Sequence, residues 1–316
     1  MAKKNDSNET APAIQGFSLS HNMSVRELSA QMRGAGLQAT QVGKASEIIH
    51  QMQKDKATII LTFTTNLVSS GLRETFAQLV QKKRVQCIIT AIGSVEEDVM
   101  KTLVPFEQGS FDADDWQLHE QGRNRVGNII IPNAAYEKLE GVLQPFFEKE
   151  LAKQKKIGRL LAPHEIIRDL GLEMKDEKSF VFWAAKNNIP IFCPAPTDGA
   201  FGLQLYFFKQ KHPEFGIDVS GDLKPLGQLI LDADKTGGII LGGGVAKHHA
   251  IGCNLLRDGF DYAVYVSTGT PYDGSLSGAR VNEAVSWGKV SEKAQIVHVE
   301  ADASIVFPLL ACGMLE

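Results

Sequence analysis

The chain has 316 residues, longer than most single cores but within the range of α/β domains, and 43% of them are hydrophobic, enough for one large interior. A formal charge of −4 argues against the basic surface of a nucleic-acid binder; no apolar run is long enough for a membrane span, and no signal-peptide pattern opens the chain. Four cysteines, Cys87, Cys193, Cys253 and Cys312, lie far apart in apolar segments with no ligand spacing, so they read as buried, reduced thiols of a cytoplasmic protein without a metal site.

Residues 1–16 are polar and poor in aromatics and are expected to form a mobile arm, with 17–316 as one domain. Ser24 and Glu27 have capping-box spacing and open a short helix to about Arg33, while Val42, Ala45, Ile48, Ile49 and Met52 mark a second. From Ala57 onward, short apolar runs alternate with helical patterns. Residues 58–62 lead to Thr64, Thr65 and Asn66 and then to a helix with Leu72, Phe76 and Leu79. Residues 85–91 lead to Gly93 and Ser94 and a helix through Val95, Val99 and Leu103. Residues 107–125 are polar and read as loop-rich. Residues 134–161 read as a long helix whose charges, Glu148, Glu150, Lys153, Lys155 and Lys156, form a solvated face. The strand pattern returns at 189–193, leading to Thr197, Asp198 and Gly199, then at 239–241, 262–266 and 295–299, the last leading to Asp302, Ala303 and Ser304. The alternation implies an α/β, Rossmann-like, mostly parallel sheet with helices on both faces, its ligand loops outside the carboxyl ends of six strands.

The densest stretch runs from Gly237 to Lys289. Gly242, Gly243 and Gly244 follow an apolar strand, and a backbone without Cβ there can approach an anion, with Lys247, His248 and His249 near the start of the next helix. There is no third glycine in fingerprint spacing, and a plain strand-to-helix turn with a solvated lysine and surface histidines fits equally well. Further on, Glu283 and Trp287 stand one helical turn apart, Gly288 ends the helix and Lys289 leaves it. A carboxylate, an indole and an amine suit a cationic, partly aliphatic ligand, and a desolvated lysine is a Schiff-base nucleophile. An ordinary lysine after a half-buried tryptophan is the alternative.

The segments GGGVAKHH, DYAVYVST, YDGSLSGAR, NEAVSWGK and ADASIVFPLL, in this order, resemble the C-terminal half of deoxyhypusine synthases. The resemblance extends back through NIPIFCPAPTDGAFG, NRVGNIIIPNAAYEKLE, SVEEDVMK and TTNLVSSGLRETFAQLVQ, covering nearly all of the chain after the first twenty or so residues, and is closest to the short, archaeal-type form. It implies an NAD-dependent transferase of hypusine biosynthesis: spermidine is oxidised, its aminobutyl group passes to an enzyme lysine as an imine, 1,3-diaminopropane leaves, and a lysine of the precursor of translation initiation factor 5A receives the group. It also implies a homotetramer with sites shared between subunits.

By position in the matching motifs, Lys289 is the implied nucleophile, not Lys247, and His248 the proton-moving, substrate-binding histidine. Glu96, Glu97, Gly274, Ser275, Glu283 and Trp287 match polyamine-site positions. Thr65, Asn66, Leu67, Val68, Ser69, Ala91, Ile92, Gly93, Glu97, Asp198, Gly243, Thr268, Asp302 and Ala303 match NAD positions. Asp198 and Asp302 read without the resemblance as ribose contacts or as helix N-caps. The eukaryotic pattern has acids where this chain has Leu203 and Leu276, which keeps a second reading open, transfer to a small diamine as in homospermidine synthesis.

Overall fold

The computed structural model describes residues 11–315. Residues 1–10 of the expected arm lie outside them. Residues 11–16 are exposed and without regular structure, and the N–H of Gln15 donates to Gly34 O at 3.0 Å.

The N-terminal layer is α1 (Val25–Met32), closed by the Ser24–Glu27 capping box, and α2 (Leu37–Lys54). The sheet starts at β1 (Thr58–Phe63), followed by α3 (Thr65–Ser69), α4 (Arg73–Gln81), β2 (Cys87–Thr90) and α5 (Ile92–Leu103). An insertion follows: β3 (Glu107–Gln108), α6 (Asp115–Glu120), β4 (Arg123–Val126) and β5 (Ile129–Pro132). Then come α7 (Asn133–Ile157), α8 (Pro163–Glu173), α9 (Phe180–Asn187), β6 (Ile191–Phe192), α10 (Ala200–Lys211) and α11 (Leu223–Leu231). The last third holds β7 (Thr236–Leu241), α12 (Gly244–Cys253), β8 (Phe260–Ser267), α13 (Val281–Ser286), β9 (Val290–Glu300) and α14 (Ala303–Leu315).

The six long-range strands form one parallel sheet in the order β6-β2-β1-β7-β8-β9. The chain winds from β1 outward through β2 to β6, then returns to β7 on the other side of β1, so the switch point falls between β1 and β7, where Phe63 pairs with Leu241. Strand side chains alternate between two cores, as a period of two requires. Ile59, Leu61, Phe63, Ile239, Leu241, Val264 and Val266 face the layer that includes α2, α4, α5 and α14. Ile60, Ile89, Ile240, Ala263 and Tyr265 face the layer of α11, α12 and α13. The doubly wound sheet expected from the alternation is present. Among the described residues, no helix is long and apolar enough to cross a membrane.

Several sequence expectations are corrected. The stretch 107–125 is not mainly loop: with residues 126–132 it folds into a small antiparallel sheet, β3-β5-β4, in which β3 and β4 are too short and polar to announce themselves. Strand β9 begins at Val290, five residues before the apolar run, because Ser291, Glu292 and Lys293 give it a polar first half. Thr65, Gly93 and Ser304 are not loop residues but belong to the first turns of α3, α5 and α14. On α7, Glu150 is not solvated; it is 5% exposed, and burial pushes its carboxyl up to about 7. Of the four thiols, Cys87 and Cys193 are buried, Cys253 is half-buried and Cys312 is exposed.

Candidate active site

The site residues named from sequence fall into two groups. The first lines the carboxyl edge of the sheet. Thr65 to Ser69 form α3 directly after β1; Leu67 and Val68 bury their side chains in the core, half-buried Thr65 turns toward the start of α5, and Asn66 is exposed. Ala91, Ile92 and Gly93 open α5 after β2, and a Cβ on Gly93 would meet Thr65 Oγ1 at 2.6 Å, so glycine lets the β1 and β2 loops touch. Asp198 is exposed on the turn after β6, Thr268 is exposed after β8, and Asp302 follows β9. Asp302 Oδ1 accepts from the N–H of Ser304 at 2.8 Å, the helix-capping role; Ala303 is buried behind it.

At the switch point the glycine turn is packed rather than open. A Cβ on Gly242 would meet Thr64 Oγ1 at 2.9 Å, and one on Gly243 would meet Ser277 Cα at 2.5 Å. Gly244 has open space beside it, and its N–H donates to Ser277 Oγ at 3.2 Å. The glycines thus serve the approach of two loops, from β1 and from the 271–280 segment, over the point where a dinucleotide would cross.

Helix α5 brings three consecutive acids into the protein, each bound to a different element. Glu96 Oε1 and Oε2 accept from the N–H groups of Ala200 (3.0 Å) and Phe201 (2.6 Å), which closes the start of α10. Burial raises its carboxyl above the ordinary range, against the pull of those two donors. Glu97 Oε2 accepts from Ser69 Oγ at 2.5 Å, and burial pushes its carboxyl up to about 7. Asp98 accepts from Arg73 Nε (2.5 Å), Ser179 Oγ (2.5 Å) and the N–H of Val181 (3.0 Å), joining α4 to the start of α9. Lys101 donates to the carbonyls of Val68, Ser69 and Ser70 at 2.9, 3.1 and 2.7 Å, holding the end of α3. Lys101, Arg73 and Asp98 were not singled out from sequence; three acids in a row inside an otherwise apolar helix pattern are the signal that something must meet them.

The second group sits on the outer layer of α12 and α13. His248 is exposed on α12, and His249 beside it is half-buried, not on the surface, with its pKa lowered by burial. Lys247 is not the solvated lysine of the plain-turn reading: it is 1% exposed, and its Nζ donates to the carbonyls of Leu276 and Ala279, each at 2.7 Å. Burial brings its pKa down to about 8. Gly274 and Ser275 are exposed at the tip of the 271–280 loop, and Leu276 is half-buried against the α12–α13 core, whereas Leu203 is exposed on α10. Trp287 is 66% exposed, and Lys289 Nζ stands 5.3 Å from its ring centroid, a cation–π contact; Glu283 is exposed one turn earlier.

The second group is itself split: the start of α12 and the 271–280 loop stand at the carboxyl edge, packed together at Gly243 and Ser277, whereas Lys289 and the neighbouring Trp287 do not reach that edge within one chain. The carbonyl of Lys289 accepts from the N–H of Phe260, the first residue of β8, so the lysine stands at the amino edge of the sheet. The carboxyl-edge loops are the eight-residue length of β8 away, roughly 25 Å at the usual rise per residue. Glu97 and Lys289 also belong to helical layers on opposite faces. A cleft of about 1050 Å³ between residues 12–15, α1, α2 and α14 contains none of the site residues.

A doubly wound parallel sheet with a glycine turn at its switch point places the chain in the Rossmann-like α/β class. The deoxyhypusine synthase family model matches residues 27–314. The chain is 45% identical to a probable deoxyhypusine synthase of Halobacterium salinarum, over 98% of this chain and 94% of that one. It is 44% identical to the probable deoxyhypusine synthase of Methanocaldococcus jannaschii, over 96% and 97%. A crystal structure of a putative deoxyhypusine synthase from Entamoeba histolytica superposes with a TM-score of 0.70 at 30% identity, covering 95% of this chain and 96% of that one. The chain belongs to the deoxyhypusine synthase family.

Proposed function

We propose that the chain is an NAD-dependent transferase that moves the 4-aminobutyl group of spermidine to a lysine of the precursor of translation initiation factor 5A, forming deoxyhypusine. The observation that carries this is the family match over 27–314, with the Lys289 amine beside the Trp287 indole and with Glu283 on α13 and His248 on α12 both exposed. NAD, when bound, supplies a hydride acceptor that returns the hydride at the end. The exposed Asn66, Asp198, Thr268 and Asp302 and the open backbone at Gly244 suit its hydroxyl and amide groups.

In this reading the butyl carbon, already at the imine level after losing a hydride, exchanges its C=N bond to the departing nitrogen for a C=N bond to Lys289 Nζ, while His248 carries protons from Nζ to that nitrogen and 1,3-diaminopropane leaves. The acceptor lysine then replaces Lys289 on the same carbon. Trp287 packs the methylenes and Glu283 pairs with an ammonium end. Glu97, poised near neutral, accepts from an amine of the substrate, while Glu96 acts mainly by fixing α10. Because Lys289 and Glu97 lie on different faces of one chain, each site is completed by a second copy, which supports an assembly of at least two chains and fits the homotetramer that the family resemblance implies.

The test is incubation with NAD and spermidine labelled in its butyl portion, with and without the purified precursor, for wild type and Lys289→Ala. Label on the precursor that depends on Lys289 supports the proposal. Diaminopropane release with label going only to putrescine would replace the protein acceptor with a small diamine, and no NAD-dependent cleavage would overturn the assignment.

A further inference from the structure

Lys247 is buried without a carboxylate in hydrogen-bonding contact, which is costly for an ammonium unless its donors are met. They are met by main chain: the carbonyls of Leu276 and Ala279, at 2.7 Å each, with the ring of Tyr265 at 4.6 Å on a third side. Both carbonyls belong to the 271–280 loop, which has little regular structure of its own. That loop is otherwise tied down by Ser277, whose carbonyl accepts from Ser267 Oγ at 3.1 Å and whose hydroxyl accepts from the N–H of Gly244 at 3.2 Å. Directly after Ala279 the chain enters α13, which carries Glu283 and leads to Trp287 and Lys289.

We infer that Lys247 is a positioning residue, an internal strut whose ammonium holds the 271–280 loop against α12 and thereby sets the tip residues Gly274 and Ser275 and the entry to α13. The inference rests on the reading given under Proposed function for what the loop and α13 do. It assigns Lys247 no contact with substrate and no part in bond making; it adds a reason for a second lysine beside the nucleophile. A charged donor answers two carbonyls at once in a place where a neutral side chain of similar length, such as methionine, would leave both unmet.

The test uses the purified full chain in its assembled state, wild type, Lys247→Met and Lys247→Arg. Amide hydrogen exchange is measured without substrate or cofactor, and spermidine kinetics are measured in parallel. Lys247→Met is expected to raise exchange by about tenfold or more within 271–286 only, and to raise KM for spermidine more than it lowers kcat. Lys247→Arg, which keeps charge and donors, recovers part of both. Exchange raised evenly over the whole chain, or kcat lost with exchange and KM unchanged, overturns the inference. If Lys247→Met does not fold, Lys247→Gln, which keeps one neutral donor, is read by the same criteria. A wild-type chain inactive on spermidine would sink the proposed function while leaving the exchange comparison intact.

Discussion

Glu96 and Phe201 are 105 residues apart and joined by a 2.6 Å hydrogen bond, the N–H of Phe201 donating to a carboxylate buried on α5. With Ala200 bonded to the other oxygen, Glu96 serves as the cap that Gly199, lacking a side chain, cannot supply to α10. A Cβ on Gly199 would meet Glu96 Oε2 at 2.7 Å, so the glycine and the glutamate require each other. Glu96→Gln, with one acceptor oxygen in place of two, is expected to cost about 1–2 kcal/mol, seen as a fall of a few degrees in the thermal midpoint. Its effect on spermidine KM is expected to be smaller than that of Glu97→Gln; the opposite ranking would make Glu96 the substrate carboxylate.

Glu97 makes stability depend on pH in a stated direction. Its carboxyl is raised from 4.5 to about 7 in the folded chain, chiefly by burial. As pH climbs from 4.5 to 7 the unfolded chain ionises this group while the folded chain holds its proton, so the group's contribution falls across that window, by at most about 3 kcal/mol. Comparing thermal midpoints at pH 5 and 7.5, the fall should be smaller in Glu97→Gln than in wild type. Equal falls would show that other groups carry the dependence.

Sites built across two copies can be repaired by mixing damaged copies. Lys289→Ala lacks the amine, Glu97→Gln lacks the carboxylate, and each alone is expected to be nearly inactive. Co-expressed and assembled at random, half of the pairs combine the two chains, and one of the two sites in such a pair is intact. Recovery of about one quarter of wild-type activity is expected. No recovery in verified mixed assemblies would place both residues in a site within one chain.

Two adjacent glycines should behave differently. Gly243→Ala puts a Cβ 2.5 Å from Ser277 Cα and must displace the 271–280 loop, so spermidine kcat/KM is expected to fall on the order of 10-fold or more. Gly244→Ala meets no atom but keeps a φ of +65°, so its expected cost is about 1–2 kcal/mol of stability with a smaller change in kcat/KM. Steady-state kinetics and thermal midpoints of both variants check this.

The sheet was legible because its strands are short continuous apolar runs, such as Ile59 to Leu61 and Val264 to Val266, followed by polar glycine-containing turns. What was not legible has physical reasons. Lys247 reads as solvated because main-chain carbonyls, its partners, leave no mark on sequence. The edge at which Lys289 lies was hidden because the polar start of β9 masked where the strand begins; a residue between a crossover helix and the next parallel strand belongs at the amino edge. Glu96 reads as a ligand carboxylate because nothing nearby in sequence says that α10, more than a hundred residues on, lacks a cap.

The three acids of α5 also bear on when the protein can fold. Asp98 waits for Ser179 and Val181, 81 and 83 residues later, and Glu96 waits for Ala200 and Phe201, 104 and 105 residues later. During synthesis α5 therefore emerges with Glu96 lacking both of its donors and Asp98 able to pair only with Arg73, and its full anchoring follows the making of α9 and α10. Long-range closure of this kind slows folding, so the first half of the chain is expected to stay loosely packed on the ribosome until roughly residue 200 has left the exit tunnel.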